Sequence, residues 1–161
     1  MFSLINFRKN IFIVFLVVWA LNSCTTSFYV VRHAEKSSTP KNDPVLTEAG
    51  MQRAERLKDI LVNKKIKKIY STQTVRTTST AQPLSDAIHI PVEIYDAKNQ
   101  TEFIATLKKS KKNTLVVGHS NTIRYIINGL AEKEVLSKDL EDNEYSNLYI
   151  VRRGKVKVER Y

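Results

Sequence analysis

Cysteine is nearly absent from this chain of 161 residues, since Cys24 is the only one. No intrachain disulfide can form, and the cysteine count does not identify a redox compartment. Internal repeats are also absent, which excludes a repeat architecture. With 42% hydrophobic and 26% charged residues, a chain of this length can bury one ordinary core and fits a single compact domain.

Acidic residues are few, with 16 against 26 lysines and arginines, and the formal net charge is +10. Such a charge suits a nucleic acid, an anionic membrane surface or an anionic substrate. The lysines occur in short bursts at 64–68 and 108–112, without the interleaved aromatic residues of a base-stacking platform. A solvated basic surface is therefore favoured, and no nucleic-acid partner is expected.

The first 24 residues have the order of a secretory signal. Arg8 and Lys9 precede an unbroken apolar run at 11–21, and polar and small residues follow it up to Cys24. The run is shorter than the roughly 20 residues of a comfortable membrane span. Residues 21–24 resemble the bacterial lipoprotein signal, in which the cysteine becomes the lipidated first residue of the mature protein.

We therefore expect a signal peptide at 1–23 and lipid on Cys24. Acyl chains contribute about 0.8 kcal/mol per buried methylene, so a multiply acylated terminus binds a bilayer firmly. The expected location is the bacterial cell envelope, with the protein anchored in the membrane and facing the periplasm or the exterior. An uncleaved signal anchor and plain secretion are the alternatives.

From Ser27 onward, short β-rich runs alternate with helical patterns, which is typical of an α/β domain with a mostly parallel sheet. We expect a three-layer α/β/α sandwich over 24–161, with a C-terminal antiparallel hairpin at the sheet edge. The predicted strands are at 27–32, 66–70, 91–95, 114–117, 148–151 and 156–158. The predicted helices follow Thr47, cover 74–87 and lie around 103–107 and 123–130. The acidic segment 139–144 is predicted to be a surface loop.

Two local features of the helices are also predicted. Thr47 has the chemistry of an N-cap, and Leu46 and Met51 are spaced to form a hydrophobic staple across it. Pro83 falls inside the second helix, which it should kink.

Polar side chains lie at the ends of three predicted strands. They are Arg32 with His33, Ser71 with Arg76, and His119 with Ser120. The carboxyl ends of strands form the ligand-binding edge of open α/β sheets, so these groups should converge. Two guanidiniums and two imidazoles with few carboxylates nearby need an anion to satisfy them. A phosphoryl group fits, because arginine offers bidentate donors and the helices after Ser71 and Ser120 direct backbone N–H groups toward it.

Imidazole suits phosphoryl chemistry because it attacks phosphorus when neutral and leaves readily once phosphorylated. Surrounding cations favour the neutral form of His33. We predict that one of its ring nitrogens donates to a backbone carbonyl, which fixes the tautomer and aims the other nitrogen at the substrate.

The motif at 31–35, Val-Arg-His-Ala-Glu, resembles the Arg-His-Gly signature of the histidine phosphatase superfamily, also called phosphoglycerate mutase-like, with Ala34 where glycine is usual. The resemblance continues through 46–50, 70–81 and 117–120 in the family's order, and is to its short single-domain branch. It implies that His33 is the phosphorylated nucleophile. It also implies that Arg32, Arg76 and His119 bind the phosphoryl oxygens and stabilise their charge.

The resemblance leaves the proton donor open. The family usually takes a carboxylate from the stretch after the Arg76 helix, where Asp96 is the first candidate and Glu102 the second. The His-Asp pair of the phytase-like branch is absent, since Ser120 follows His119. A leaving group that needs little protonation is compatible with this pattern.

The implied activity is that of a metal-independent, histidine acid phosphatase-type phosphomonoester hydrolase without a cofactor. The expected substrate is a small phosphorylated metabolite or an envelope sugar phosphate. The alternatives are a phosphate-ligand binding module without turnover, a phosphomutase and a phosphatase of phosphohistidine proteins. A metal site made of His33, His119 and Asp96 is disfavoured, because Arg32 and Arg76 would repel the cation.

Overall fold

The computed structural model describes residues 25–161. The predicted signal peptide at 1–23 and the predicted lipid site at Cys24 lie outside the described residues. Between residues 25 and 161, no helix combines the length and the apolar character that a bilayer span needs.

Six strands and four helices form the described part of the chain. The strands are β1 (Phe28–Arg32), β2 (Lys68–Ser71), β3 (Val92–Ile94), β4 (Thr114–Gly118), β5 (Asn147–Arg152) and β6 (Lys155–Arg160). The helices are α1 (Glu48–Leu61), α2 (Val75–Ile88), α3 (Gln100–Lys109) and α4 (Ser120–Ala131). The strands pair in the order β3-β2-β4-β1-β5-β6, parallel from β3 to β1 and antiparallel from β1 to β6. The predicted fold class is confirmed.

The core has one apolar layer on each face of the sheet. Every residue of β4 is buried, and successive side chains point to opposite faces. Val116 packs in the layer that contains Ile123 and Ile127 of α4, whereas Leu115 and Val117 pack in the other layer. The latter contains leucines from α1 and α2, namely Leu57, Leu61 and Leu84. Helices thus cover both faces, and the sheet edge that holds the strand ends remains available for a site.

The hairpin of β5 and β6 turns over two residues in left-handed backbone conformation. Arg153 has φ of 50° and Gly154 has φ of 71°, as the tight turn between right-twisted strands requires. Arg152 and Lys155 close the ladder on either side of the turn. The predicted edge hairpin is present, with β6 as the outer strand.

The N-terminus of α1 is fixed against the segment that follows β1. The Thr47 hydroxyl accepts a hydrogen bond from the Gly50 main-chain N at 3.1 Å, which confirms the predicted N-cap. The Thr47 main-chain N donates to the Glu35 carbonyl at 2.9 Å. A Cβ on Gly50 would lie 2.2 Å from the same carbonyl oxygen, so only glycine permits this approach.

The predicted hydrophobic staple is wrong. Met51 is 55% exposed, whereas Leu46 is buried in a small cluster with Ala34 and Ala54. Because the chain enters α1 alongside Glu35, Leu46 points toward the end of β1 and not along the helix toward Met51.

Candidate active site

Four side chains meet at the carboxyl edge of the parallel strands: Arg32, His33, Arg76 and His119, called here the strand-end cluster. Arg32 ends β1, and the His33 main-chain N donates to the Gly118 carbonyl at the end of β4 at 2.8 Å. The His33 and His119 rings lie 5.5 Å apart between centroids, at 66°. The predicted convergence of the strand ends is therefore observed in the geometry.

The tautomer of His33 is set by one hydrogen bond. Its Nδ1 lies 2.8 Å from the carbonyl oxygen of Ala34. A carbonyl only accepts, so Nδ1 carries the proton and Nε2 keeps its lone pair. Within residues 25–161, Nε2 has no hydrogen-bond partner. The side chain thus presents an unprotonated nitrogen, as the sequence predicted.

The pKa of His33 is lowered to about 3, first by burial and then by Arg32, His119 and Arg76, while the bond to the Ala34 carbonyl opposes the shift. The residue is only 3% exposed. The cations predicted from the sequence do contribute, but removal of the ring from water is the larger cause. His33 is therefore neutral at physiological pH.

His119 is held by two contacts that also fix its tautomer. Its Nδ1 accepts from Nη2 of Arg76 at 3.4 Å, because a guanidinium only donates. Its Nε2 must then carry the proton, which is shared with Oγ1 of Thr72 at 3.0 Å. Thr72 in turn donates to Thr77 at 3.0 Å. Burial first and Arg76 second lower the pKa of His119 to about 4.

The two depressed histidine pKa values predict how stability depends on pH. The unfolded chain takes up protons near pH 6.5, whereas the folded site rejects them until about pH 4 and 3. Above pH 6.5 these two groups do not lower the free energy of unfolding. As pH falls through this window the unfolded chain binds protons that the folded site does not, so the free energy of unfolding decreases. The linkage is about 1.4 kcal/mol per pH unit for one such group.

Urea unfolding at pH 7, 5.5 and 4.5 should show this decrease in the free energy of unfolding. The decrease should be smaller for His33→Asn than for the unmodified chain. His89→Asn, at an exposed histidine outside the cluster, serves as the control and should lose as much as the unmodified chain. Equal pH dependence in the unmodified chain and His33→Asn would contradict the depressed pKa.

Carboxylates lie closer to the arginines than the sequence indicated. Asp43 contacts Nη1 of Arg76 at 3.3 Å and accepts from the Val75 main-chain N at the start of α2. Asp142 lies 3.5 Å from Nη2 of Arg32, but its side chain is fully exposed and the pair is weak. The expectation of few carboxylates nearby is thus corrected. These acids come from loops far from the arginines in sequence.

Neither arginine is fully satisfied by these partners. The Nε atoms of Arg32 and Arg76 are both buried and have no hydrogen-bond partner among residues 25–161. A buried donor without a partner costs free energy. The cluster therefore retains donors for an anion beside the free Nε2 of His33.

The segment between α4 and β5 belongs to the site, although 139–144 was predicted only to be a surface loop. The Glu141 carbonyl accepts from Nη1 of Arg32 at 2.6 Å. The Tyr145 ring lies 5.9 Å from the His33 ring and 4.6 Å from the Arg32 guanidinium. The sequence carries no motif in this segment, so neither contact could be predicted from it.

Thr80 of α2 supports the segment that follows β1. Its Oγ1 accepts from the Ala34 main-chain N at 2.9 Å and donates to the Arg76 carbonyl at 2.7 Å. The side chain of Ala34 packs with Leu46 and Ala54. The Ala34 methyl group is therefore accommodated at a position where the histidine phosphatase signature usually has glycine.

The other predicted site residues lie apart from the cluster or are already bonded. The Ser71 hydroxyl donates to the Thr72 carbonyl at 2.9 Å. Asp96 is exposed and accepts from the Lys98 main-chain N at 2.8 Å. It lines, with Glu102, a cavity of about 240 Å³ whose lining includes none of the cluster. Strand β3 is three strand spacings from β1, about 14 Å, so the role of Asp96 stays a prediction.

In the described part of the chain, no three histidine, cysteine or acidic side chains are grouped so as to hold a metal ion. His33, His119 and Asp96 do not form such a group. The chemistry of the cluster, with two guanidiniums beside the imidazoles, suits an anion and not a cation.

Residues 28–103 match the model of the histidine phosphatase superfamily (branch 1). The match covers 76 of the 161 residues of the chain. The match includes Arg32, His33 and Arg76 and ends before His119. No curated protein matches the chain by sequence.

Several solved structures of phosphatases share the fold. One from Agrobacterium tumefaciens, assigned as the phosphohistidine phosphatase SixA, is 19% identical, with a TM-score of 0.64 over 83% of this chain and 96% of that chain. A phosphoserine phosphatase variant from Entamoeba histolytica, in complex with phosphoserine, is 17% identical with a TM-score of 0.62 over 83% and 94%. A mycobacterial glucosyl-3-phosphoglycerate phosphatase is 11% identical with a TM-score of 0.61 over 85% and 98%. At these identities the likeness concerns the fold.

Proposed function

We propose that the chain is a phosphomonoester hydrolase that works through a phosphohistidine. One observation supports this most: the unprotonated Nε2 of a buried, neutral His33 lies in a cluster whose two arginines keep buried donors without a partner in the described part of the chain. A phosphoryl group satisfies both needs, because its oxygens accept from the guanidiniums while its phosphorus faces the nitrogen.

In the first step, the Nε2 lone pair of His33 attacks phosphorus and forms an N–P bond. The bond between phosphorus and the leaving oxygen breaks, and that oxygen takes a proton from a carboxylic acid. Arg32 and Arg76 stabilise the charge on the equatorial oxygens. The Nε2–H of His119 also stabilises this charge, because it gives up its hydrogen bond to Thr72 and donates to a phosphoryl oxygen.

In the second step, a water molecule attacks phosphorus and the N–P bond breaks. The carboxylate that gave its proton in the first step takes one from the water. Inorganic phosphate leaves, and His33 returns to its neutral form with the proton on Nδ1. No other reactant is needed, so the cycle closes with hydrolysis of one ester bond.

Asp96 remains the first candidate for the proton donor. To serve, its protonated carboxyl must release the Lys98 main-chain N and the Asn99 side-chain amide and move to the strand-end cluster, where it donates to the leaving oxygen. We expect Asp96→Asn to lower kcat about 10²-fold on an alkyl phosphate and to leave kcat on an aryl phosphate with an acidic phenol nearly unchanged. The measurement is kcat on both substrates.

Asp43→Asn is the matched control, because it removes a carboxylate that contacts Arg76 and should affect both substrates alike. If Asp96→Asn kept full activity on the alkyl phosphate, Asp96 would be excluded and Glu102→Gln would be tested next.

The proposed activity itself is tested with a generic aryl phosphate, with and without a chelator. We expect inorganic phosphate to be released at the same rate in both conditions. Loss of activity with the chelator would indicate a metal hydrolase. Binding of phosphate without turnover would indicate a phosphate-binding module.

We propose a small phosphorylated metabolite or an envelope sugar phosphate as the substrate. The structures of similar fold include phosphatases named for phosphoserine and for glucosyl-3-phosphoglycerate, which are substrates of this size. The signal-like residues 1–23 and Cys24 support a lipid-anchored location at the cell envelope. A panel that also contains a phosphohistidine protein and a mutase substrate pair separates hydrolysis of metabolites from the two nearest alternatives.

A further inference from the structure

The sheet edge opposite the strand-end cluster is strongly basic. Six side chains, called here the basic edge, come from the segments before β2 and β4, from the β5–β6 turn and from the first residue of β6: Lys65, Lys67, Lys111, Lys112, Arg153 and Lys155. All six are exposed, and none has an acidic partner within salt-bridge distance among residues 25–161. Basic side chains in the last turn of a helix complement the helix dipole, but none of these six lies in a helix.

The described chain enters the fold at this same edge. Thr25 and Thr26 line a cavity of about 510 Å³ together with Lys111 and Arg153. Glu132, the acidic residue of that lining, is bonded to Lys108 at 2.8 Å. The cavity therefore presents unneutralised positive charge directly beside the start of the domain.

We propose that the basic edge is the surface that lies against an anionic lipid bilayer. This inference rests on the proposed anchor at Cys24. Consecutive Cα atoms are about 3.8 Å apart, so a lipid on Cys24 would hold Thr25, and with it the basic edge, at the membrane surface. Clusters of lysine and arginine near a membrane are attracted to anionic headgroups.

The orientation has a consequence for the substrate. His33 follows the far end of β1, about 17 Å from Phe28 for five residues of strand. With the basic edge on the bilayer, the strand-end cluster faces the aqueous phase. The substrate of the proposed hydrolase is then a soluble phosphomonoester and not a membrane lipid.

The test uses the full chain, purified in detergent from bacterial membranes and reconstituted into lipid nanodiscs. One set contains phosphatidylcholine alone, and the other contains phosphatidylglycerol as well. Hydrogen exchange at 110–113 and 153–155 should slow about tenfold or more in the anionic discs only. The slowing should disappear in about 1 M NaCl, where the Debye length is about 3 Å.

A charge-reversal variant isolates the surface from the anchor. Lys111→Glu with Lys112→Glu and Arg153→Glu should lose the slowing while remaining on the discs and hydrolysing a soluble aryl phosphate normally. The matched control, Lys41→Glu with Arg56→Glu and Lys98→Glu, changes exposed residues elsewhere and should keep the slowing.

Each outcome decides the inference. Disc-bound protein without slowing in anionic discs would overturn the basic edge as a membrane surface and leave the anchor intact. Protein that does not stay on either disc would overturn the anchor and the inference together. If an added oligonucleotide slowed hydrogen exchange at the basic edge and anionic lipid did not, the edge would be a nucleic-acid binding surface and the proposal would be overturned. Phosphatase activity, measured separately, decides the proposed function.

Discussion

His33→Ala is expected to lower turnover of an aryl phosphate by about 10⁴-fold or more, because the nucleophile of the first step is removed. Among the ring nitrogens of the strand-end cluster, Nε2 of His33 is the one whose lone pair has no hydrogen-bond partner within residues 25–161. Water cannot replace it efficiently in the first step, since the carboxylic acid is then protonated and cannot act as a base for an attacking water. Initial rates under saturating substrate give the value.

Loss of the fold must be distinguished from loss of the nucleophile in this variant. His33→Asn retains a donor for the Ala34 carbonyl and should be equally inactive while unfolding near the temperature of the unmodified chain. Both variants should still bind inorganic phosphate through Arg32 and Arg76. His89→Asn, at an exposed histidine in left-handed conformation that asparagine tolerates, should keep normal activity. Normal turnover by His33→Ala would exclude the phosphohistidine mechanism.

Arg76→Ala is expected to lower kcat about 10² to 10³-fold, the loss typical of one donor that stabilises transition-state charge. Arg76 also holds Nδ1 of His119 and pairs with Asp43. Its removal therefore takes away a cation that lowers the pKa of His119, and that pKa should rise. Steady-state kinetics and an NMR titration of the His119 ring measure the two effects.

Arg76→Lys separates charge from geometry, because lysine restores the positive charge without the planar fork. Compared with Arg76→Ala, this variant should have a lower His119 pKa and only a slightly higher kcat. Arg56→Ala, at an exposed arginine of α1, is the control and should change neither. A kcat within a few-fold of normal in Arg76→Ala would remove Arg76 from the phosphoryl site.

The sequence predicted the parts of the molecule that depend on local pattern. Periodicity located β4 and α4, because a fully buried strand and an amphipathic helix each leave a clear signature. Thr47 was predicted as an N-cap from its chemistry and its position before a helical run. The gathering of His33 and His119 followed from a rule of parallel sheets, since both residues directly follow strands.

The parts that depend on distant loops were not predictable. Asp43 contacts Arg76 across 33 positions of sequence, and Glu141 contacts Arg32 across 109. Neither loop has a periodic pattern, and their paths are set by packing against the finished sheet. The predicted hydrophobic staple between Leu46 and Met51 was wrong for the same reason. The direction in which the chain enters α1 is fixed by the Glu35 carbonyl and not by residues near Met51.

The most direct test of the account is to trap the phosphorylated enzyme. Full-length protein is mixed with an aryl phosphate, quenched in alkali within the first turnover and digested for mass spectrometry, since phosphohistidine survives base and not acid. A phosphoryl group is expected on Nε2 of His33, and none on the His33→Asn protein. Rapid turnover with no phosphoryl group on His33 at any quench time, or with the group on another residue, would contradict it.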